Sequence, residues 1–75
     1  MMAHNQTAVL IEYMQYEAQY RRFPVDTDTG PTWVSTPDWL RFSDSRAEVF
    51  DGYSWRSIAQ HSLAQYAQAE NVVLR

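Results

Sequence analysis

The sequence predicts a mainly α-helical domain, with two longer helices packed antiparallel and one or two short helices and a proline-rich loop closing the open side. Two observations favour this fold class. Apolar residues recur at helical spacing near both ends of the chain. The N-terminal stretch contains no internal glycine or proline, whereas all three prolines and both glycines lie between the two stretches. Because the chain has 75 residues, we expect residues 1–75 to form a single domain.

The first helix is predicted over Thr7–Arg22, since Asn5 and Thr7 are acceptable N-caps and Pro24 disfavours helical backbone before it. Its apolar residues fall on two lines of the helix surface. One is a seam with a 4, 3, 4, 3 spacing: Val9, Tyr13, Tyr16, Tyr20 and Phe23. The other, here called the aliphatic stripe, consists of Leu10, Ile11, Met14 and Ala18. Glu17 and Arg21 are spaced to form an i, i+4 ion pair.

The middle of the chain is predicted to begin with a loop. Prolines and alternating Asp and Thr residues favour turns, so Phe23–Thr36 is interpreted as a proline-rich loop. Thr36 suits an N-cap, and Pro37 and Asp38 suit a first helical turn. This pattern predicts a short helix that extends to Ser43.

Two structures remain open for the segment that follows. A capping-box pattern starting at Ser45 predicts a second short helix over Arg46–Asp51. The alternative is a β-hairpin about Asp51-Gly52, in which Ala47–Phe50 pairs with Tyr53–Trp55.

The last helix is predicted over Trp55–Glu70, with Ser54 as the N-cap. Its continuous apolar face consists of Trp55, Ile58, Ala59, Ser62, Leu63, Tyr66 and Val73. The centre of the core is predicted to be rich in aromatic residues, and we expect it to contain Trp33, Trp39, Trp55, Phe42, Phe50, Leu40 and Leu63.

The sequence shows no pattern typical of a catalytic or metal site. Cysteine is absent, which excludes disulfides, thiolate metal sites and thiol catalysis. The triplet Asp28-Thr29-Gly30 matches the active-site motif of aspartic proteases, but these enzymes need two such aspartates, so we interpret it as a turn. A calcium loop there would lack a third oxygen ligand. His4 and His61 have no second ligand at helical spacing. We expect no enzymatic activity, no metal and no cofactor.

Charge and hydropathy narrow the classes of partner. The net charge is −3 and all six basic residues are arginines, and this composition disfavours nucleic acid as a partner. The alternative function is a small helix-turn-helix-like DNA-binding regulator, in which Arg41, Arg46 and Arg56 converge beside the last helix. No apolar run is long enough to span a membrane, and the N-terminus does not resemble a signal peptide, so we expect a cytoplasmic protein.

The tyrosines of the first helix, Tyr13, Tyr16 and Tyr20, are here called the tyrosine stripe. Leucine, isoleucine and methionine bury without unsatisfied hydroxyl groups, so we expect the aliphatic stripe in the core and the tyrosine stripe at the surface. Tyrosine and arginine are frequent interface anchors. We therefore predict a protein–protein interaction module, either an inhibitor, an adaptor or a small subunit of a larger assembly. Its protein partner could be a second copy in a homodimer, and the composition suggests a phage- or plasmid-type accessory protein. The predicted partner-binding residues are Tyr13, Tyr16, Tyr20, Arg21 and Arg22.

Overall fold

The fold is α+β rather than mainly α. A computed structural model of the chain describes residues 4–72, which form two helices, one 3₁₀ turn and five antiparallel strands. In chain order these are α1 (His4–Glu17), β1 (Phe23–Thr27), β2 (Gly30–Val34), a 3₁₀ turn (Pro37–Trp39), β3 (Leu40–Ser43), β4 (Arg46–Phe50), β5 (Trp55–Ser57) and α2 (Gln60–Ala69).

The strands form two antiparallel units with short connections. β1 pairs with β2 from Phe23↔Val34 to Thr27↔Gly30, so only two residues connect these strands. β3 pairs with β4 and β4 pairs with β5, giving a three-stranded meander. Local pairing of this kind requires tight turns, and Gly30 provides one with a φ of +113°.

A single bridge brings the two units together. Thr27 at the end of β1 pairs with Ile58, just beyond β5. The N–H of Asp28 donates to the carbonyl of Ser57 over 3.2 Å, and that of Ala59 donates to the carbonyl of Asp26 over 2.9 Å. The strands therefore lie in the spatial order β2, β1, β5, β4, β3.

The core combines the aliphatic stripe of α1 with alternating strand residues. All four residues of this stripe are buried, which confirms the expected orientation of the first helix. On β1, Phe23 and Val25 are buried while Pro24 between them is exposed, as expected for a strand with one face on a core. The buried apolar residues are Leu10, Ile11, Met14, Ala18, Phe23, Val25, Val34, Leu40, Ala47, Val49, Ile58 and Leu63.

Both longer helices are shorter in the structure than the sequence predicts. α1 runs from His4 to Glu17 rather than from Thr7 to Arg22, so neither Asn5 nor Thr7 is its N-cap, and residues 18–20 continue as turns. α2 begins at Gln60, after Ala59 in extended conformation, so Ser54 is not its N-cap. Trp55 and Ile58 match helical spacing, but they belong to β5 and to the bridge with Thr27. Val73, placed on the same apolar face, lies outside the described residues.

The predicted proline-rich loop, Phe23–Thr36, is mostly the β1–β2 hairpin. Its buried residues alternate with exposed or half-buried ones, as in a strand pair with one face on the core. Burial of that face outweighs the preference of the prolines for turns. The short helix predicted to reach Ser43 is only the 3₁₀ turn Pro37–Trp39, after which β3 begins.

The helix predicted over Arg46–Asp51 is also wrong, because Arg46–Phe50 is β4. Asp44 and Ser45 have φ values of 52° and 63°, so they form a two-residue hairpin turn with left-handed backbone instead of a helix cap. The alternative prediction of a hairpin is confirmed, although the second strand begins at Trp55 rather than at Tyr53. Phe50 pairs with Trp55, and residues 51–54 form the connection.

The predicted aromatic core is wrong in most of its members. Trp33 is 49% exposed, and the other two tryptophans are partly exposed. Trp55 pairs with Phe50 across β4 and β5, on the sheet face opposite Val49. Among the seven residues predicted for the core centre, only Leu40 and Leu63 are buried, while Phe42 packs against the core from its edge.

Candidate partner-binding groove

An open groove lies between the C-terminal ends of α1 and α2, with a volume of about 490 Å³. We call it the tyrosine groove. It is lined by Tyr13, Tyr16, Glu17, Tyr20, Arg21, Tyr66, Glu70, Asn71 and Val72. Its volume lies within the roughly 300–1,000 Å³ typical of ligand pockets.

The tyrosine stripe forms one wall of this groove because the opposite side of α1 is used for the core. Tyr13, Tyr16 and Tyr20 are 51%, 63% and 72% exposed, whereas Leu10 and Met14 are fully buried. The rings of Tyr16 and Tyr20 contact each other, with centroids 5.4 Å apart. The expectation that the tyrosine stripe lies at the surface is therefore confirmed.

The floor of the groove is a polar network that joins both helices. The hydroxyl of Tyr66 donates to Oε1 of Glu17 over 2.6 Å. Arg21 pairs with Oε2 of Glu17 at 3.0 Å, which confirms the predicted i, i+4 pair. The same guanidinium lies 3.6 Å from Oε2 of Glu70, beyond α2. Two carboxyl groups thus share one arginine.

This arrangement shifts the pKa values of Tyr66, Glu17 and Glu70. Burial and the hydrogen bond to Glu17 raise the pKa of Tyr66. Burial also acts to raise the pKa of Glu17, but its hydrogen bonds with Glu70, Tyr66 and Arg21 outweigh that effect and lower it. The hydrogen bond with the Glu17 carboxyl raises the pKa of Glu70. The groove therefore carries closely coupled acidic groups that one cation does not fully offset.

Four of the five predicted partner-binding residues line the groove, namely Tyr13, Tyr16, Tyr20 and Arg21. The fifth does not, because the guanidinium of Arg22 lies over the ring of Trp33 on β2, 4.7 Å from its centroid. The second wall of the groove, contributed by α2, is not apparent from the sequence. Helical spacing predicts Tyr66 on the buried face of a longer helix, whereas Tyr66 is only half-buried and also contacts Phe23.

The arginines expected to converge beside the last helix are instead paired on or near the three-stranded sheet. Arg41 donates to the buried Glu48 over 2.7 Å and lies 4.1 Å above the centroid of the Trp55 ring. Arg46 also contacts Glu48, at 3.6 Å. Arg56 pairs with Asp51 at 3.1 Å. These contacts reduce the positive charge that the arginines can offer to phosphate.

Among the other residues considered for catalysis or metal binding, Asp28 and His61 are exposed. Asp28-Thr29-Gly30 belongs to the hairpin turn, where the hydroxyl of Thr27 donates to the carbonyl of Gly30 over 2.6 Å. His61 is exposed and pairs with Asp26 at 2.8 Å, while the His4 side chain lies outside the described part of the chain. Within residues 4–72, no three histidine or acidic side chains are grouped to hold a metal. Over the same residues, no helix is long and apolar enough to cross a membrane.

Comparison of the chain with protein-family models, with curated proteins and with solved structures found no match.

Proposed function

We propose that the chain is a non-enzymatic protein–protein interaction module of the cytoplasm, acting as an inhibitor, an adaptor or a small subunit. It docks the tyrosine groove onto a partner protein. The observation that carries this proposal is the exposure of three tyrosines along α1 and the turn that follows it, where they line an open groove.

The side chains of the groove suit binding in two ways. Tyrosine offers a large contact area and loses little conformational entropy when it is fixed, which makes it an efficient anchor. The residues of the tyrosine stripe are also not needed for the core, because the aliphatic stripe packs on β3 and β4. Binding therefore requires no rearrangement of buried residues.

The groove also presents a charged group at its edge. Arg21 is half exposed and already bridges Glu17 and Glu70, so it is held in place before a partner arrives. Prior ordering lowers the entropic cost of association.

The DNA-binding alternative receives less support. A helix-turn-helix places two consecutive helices around a short turn. Among residues 4–72, five strands separate α1 from α2. The arginines near the sheet are paired with Glu48 and Asp51 rather than grouped on one helix.

The test compares capture of a partner by wild type and by the double variant Tyr16→Ser/Tyr20→Ser. Proteins retained by the wild type from an extract of its native cells are identified by mass spectrometry, purified, and titrated calorimetrically. The matched control is Tyr53→Ser, since Tyr53 is 93% exposed and lies outside the groove. We expect the double variant to bind at least about tenfold more weakly and the control to bind as wild type does.

Equal affinity of the wild type and the double variant would overturn the proposal. Retention on heparin with a steep salt dependence, together with no protein partner, would favour the DNA-binding alternative.

A further inference from the structure

We propose that the tyrosine groove binds a cationic side chain of the partner, an ammonium or guanidinium group, between tyrosine rings and the carboxylate of Glu70. This inference rests on the proposed function and specifies the chemistry of the partner, which is a basic segment of another protein.

Aromatic rings are the first contribution to such a site. Tyr13, Tyr16 and Tyr20 line the groove from the α1 side, and Tyr66 lines it from α2. The face of an aromatic ring carries negative potential and attracts a cation within about 6 Å of the centroid. Three such contacts occur on strand residues among residues 4–72, in the pairs Arg21–Phe23, Arg22–Trp33 and Arg41–Trp55.

The second contribution is a carboxylate with remaining capacity to accept hydrogen bonds. Both carboxylate oxygens of Glu17 already accept a hydrogen bond, Oε1 from Tyr66 and Oε2 from Arg21. Besides its contact with the Glu17 carboxyl, Glu70 lies 3.6 Å from Arg21, which is longer than a hydrogen bond, and its side chain is about one-third exposed. Its pKa is raised by the nearby Glu17, so a second cation in the groove would relieve the unfavourable proximity of the two carboxyl groups.

Charge complementarity favours another protein over a second copy of this chain. The chain contains no lysine and has a net charge of −3, so a second copy supplies no lysine ammonium group and carries a net charge of the same sign. Every arginine between residues 4 and 72 already has an acidic or aromatic partner. These arginines are Arg21, Arg22, Arg41, Arg46 and Arg56.

The test uses small probes whose binding does not depend on a known partner. Nα-acetyl-lysine methylamide, its Nε-trimethyl derivative and Nα-acetyl-arginine methylamide are titrated into the protein and followed by NMR of the tyrosine rings and backbone amides. Nα-acetyl-norleucine methylamide is the neutral control of similar length. We expect the cationic probes to shift the resonances of the groove residues in the millimolar range, and norleucine to shift them much less.

Variants then locate the site. Tyr20→Leu and Glu70→Gln should each weaken binding of the cationic probes by about fivefold or more. Tyr53→Leu and Glu12→Gln are the matched controls, because both residues are exposed outside the groove, and they should leave binding unchanged. Amide spectra of every variant verify that the fold is retained.

Three outcomes would overturn the inference. They are binding of norleucine as tightly as of the cations, no effect of Glu70→Gln, or shifts of the groove resonances on raising protein concentration alone, which would identify a second copy as the occupant. If the cations fail to bind but the protein partner still depends on Tyr16 and Tyr20, the cation site is wrong and the interaction module stands.

Discussion

The hydroxyl of Tyr66 donates a 2.6 Å hydrogen bond to Oε1 of Glu17, connecting the C-terminal half of α2 to the last residue of α1. The two helices otherwise pack chiefly on different strands, α1 on β3 and β4 and α2 on β1. The contact between Tyr66 and Glu17 therefore helps to set the width of the tyrosine groove.

Replacing Tyr66 with phenylalanine should lower the free energy of unfolding by about 1–2 kcal/mol at neutral pH, since a hydrogen bond to a charged group is lost. The pKa of Glu17 should rise, because the Tyr66 hydroxyl is one of the groups that lower it. A lowered folded-state pKa contributes stability that is lost as pH falls. The difference in the free energy of unfolding between wild type and variant should therefore become smaller as pH falls. Urea denaturation at a series of pH values measures this difference.

Tyr53→Phe is the control for this experiment, since Tyr53 is 93% exposed. An equal loss of stability in both variants would contradict the role assigned to the bond between Tyr66 and Glu17.

Truncating side chains of the tyrosine stripe should change the free energy of unfolding much less than truncating side chains of the aliphatic stripe. Tyr16→Ala or Tyr20→Ala should change stability by less than about 1.5 kcal/mol, because both side chains are mostly exposed. Leu10→Ala should cost about 2–5 kcal/mol, because this residue is fully buried. Denaturant unfolding of the three variants checks the prediction, and unfolding of the chain by Tyr16→Ala would place that residue in the core.

Asp51 should give the β4–β5 connection a distinct acid sensitivity. Hydrogen bonds from the N–H groups of Ser54 and Tyr53, and then from Arg56, lower its pKa from 3.8 to about 2. A folded-state pKa below the unfolded one stabilises the fold above about pH 4, and this stabilisation is lost as pH falls towards 2. Asp51→Ala should therefore destabilise at pH 7 and have little effect near pH 2, as measured by thermal unfolding. An equal shift at both pH values would contradict this role.

We expect that substitutions in the β3–β4 turn can raise the free energy of unfolding. Asp44 and Ser45 both have positive φ, which costs energy for residues other than glycine and is best tolerated by the Asn-Gly pair of a type I′ turn. The double change Asp44→Asn/Ser45→Gly should raise stability by about 0.5–1 kcal/mol. The matched control is Asp28→Asn/Thr29→Gly in the β1–β2 turn, where neither residue has positive φ, and it should not stabilise. The measurement is the denaturation midpoint of the wild type, the double variant and the control.

The sequence was most informative about α1. Its aliphatic stripe, its exposed tyrosines and the Glu17–Arg21 pair were all predictable, because each depends on local spacing along α1 and the turns that directly follow it. The groove was only half predictable for the same reason. Its second wall, with Tyr66 and Glu70, depends on the position of α2, which no spacing rule reports.

The strands were missed because local signals conflicted with tertiary pairing. Ser45 and Glu48 match a capping box, but Glu48 is a strand residue buried beneath Arg41 and Arg46. The two tightest turns, Asp28-Thr29 and Asp44-Ser45, lack the glycine that usually marks a hairpin at its second position. The Asp51-Gly52 pair does favour a hairpin in the sequence, and β4 and β5 pair on either side of it.

The bridge between Thr27 and Ile58 has a consequence for the order of folding. Each hairpin closes over a few residues and can form within about 1–10 μs, whereas this bridge joins segments distant in the chain and must first overcome the entropy of loop closure. We therefore expect the two strand units to associate after their own hairpins have formed. Few hydrogen bonds connect the two strand units at this bridge. We therefore expect the native protein to open first between these units.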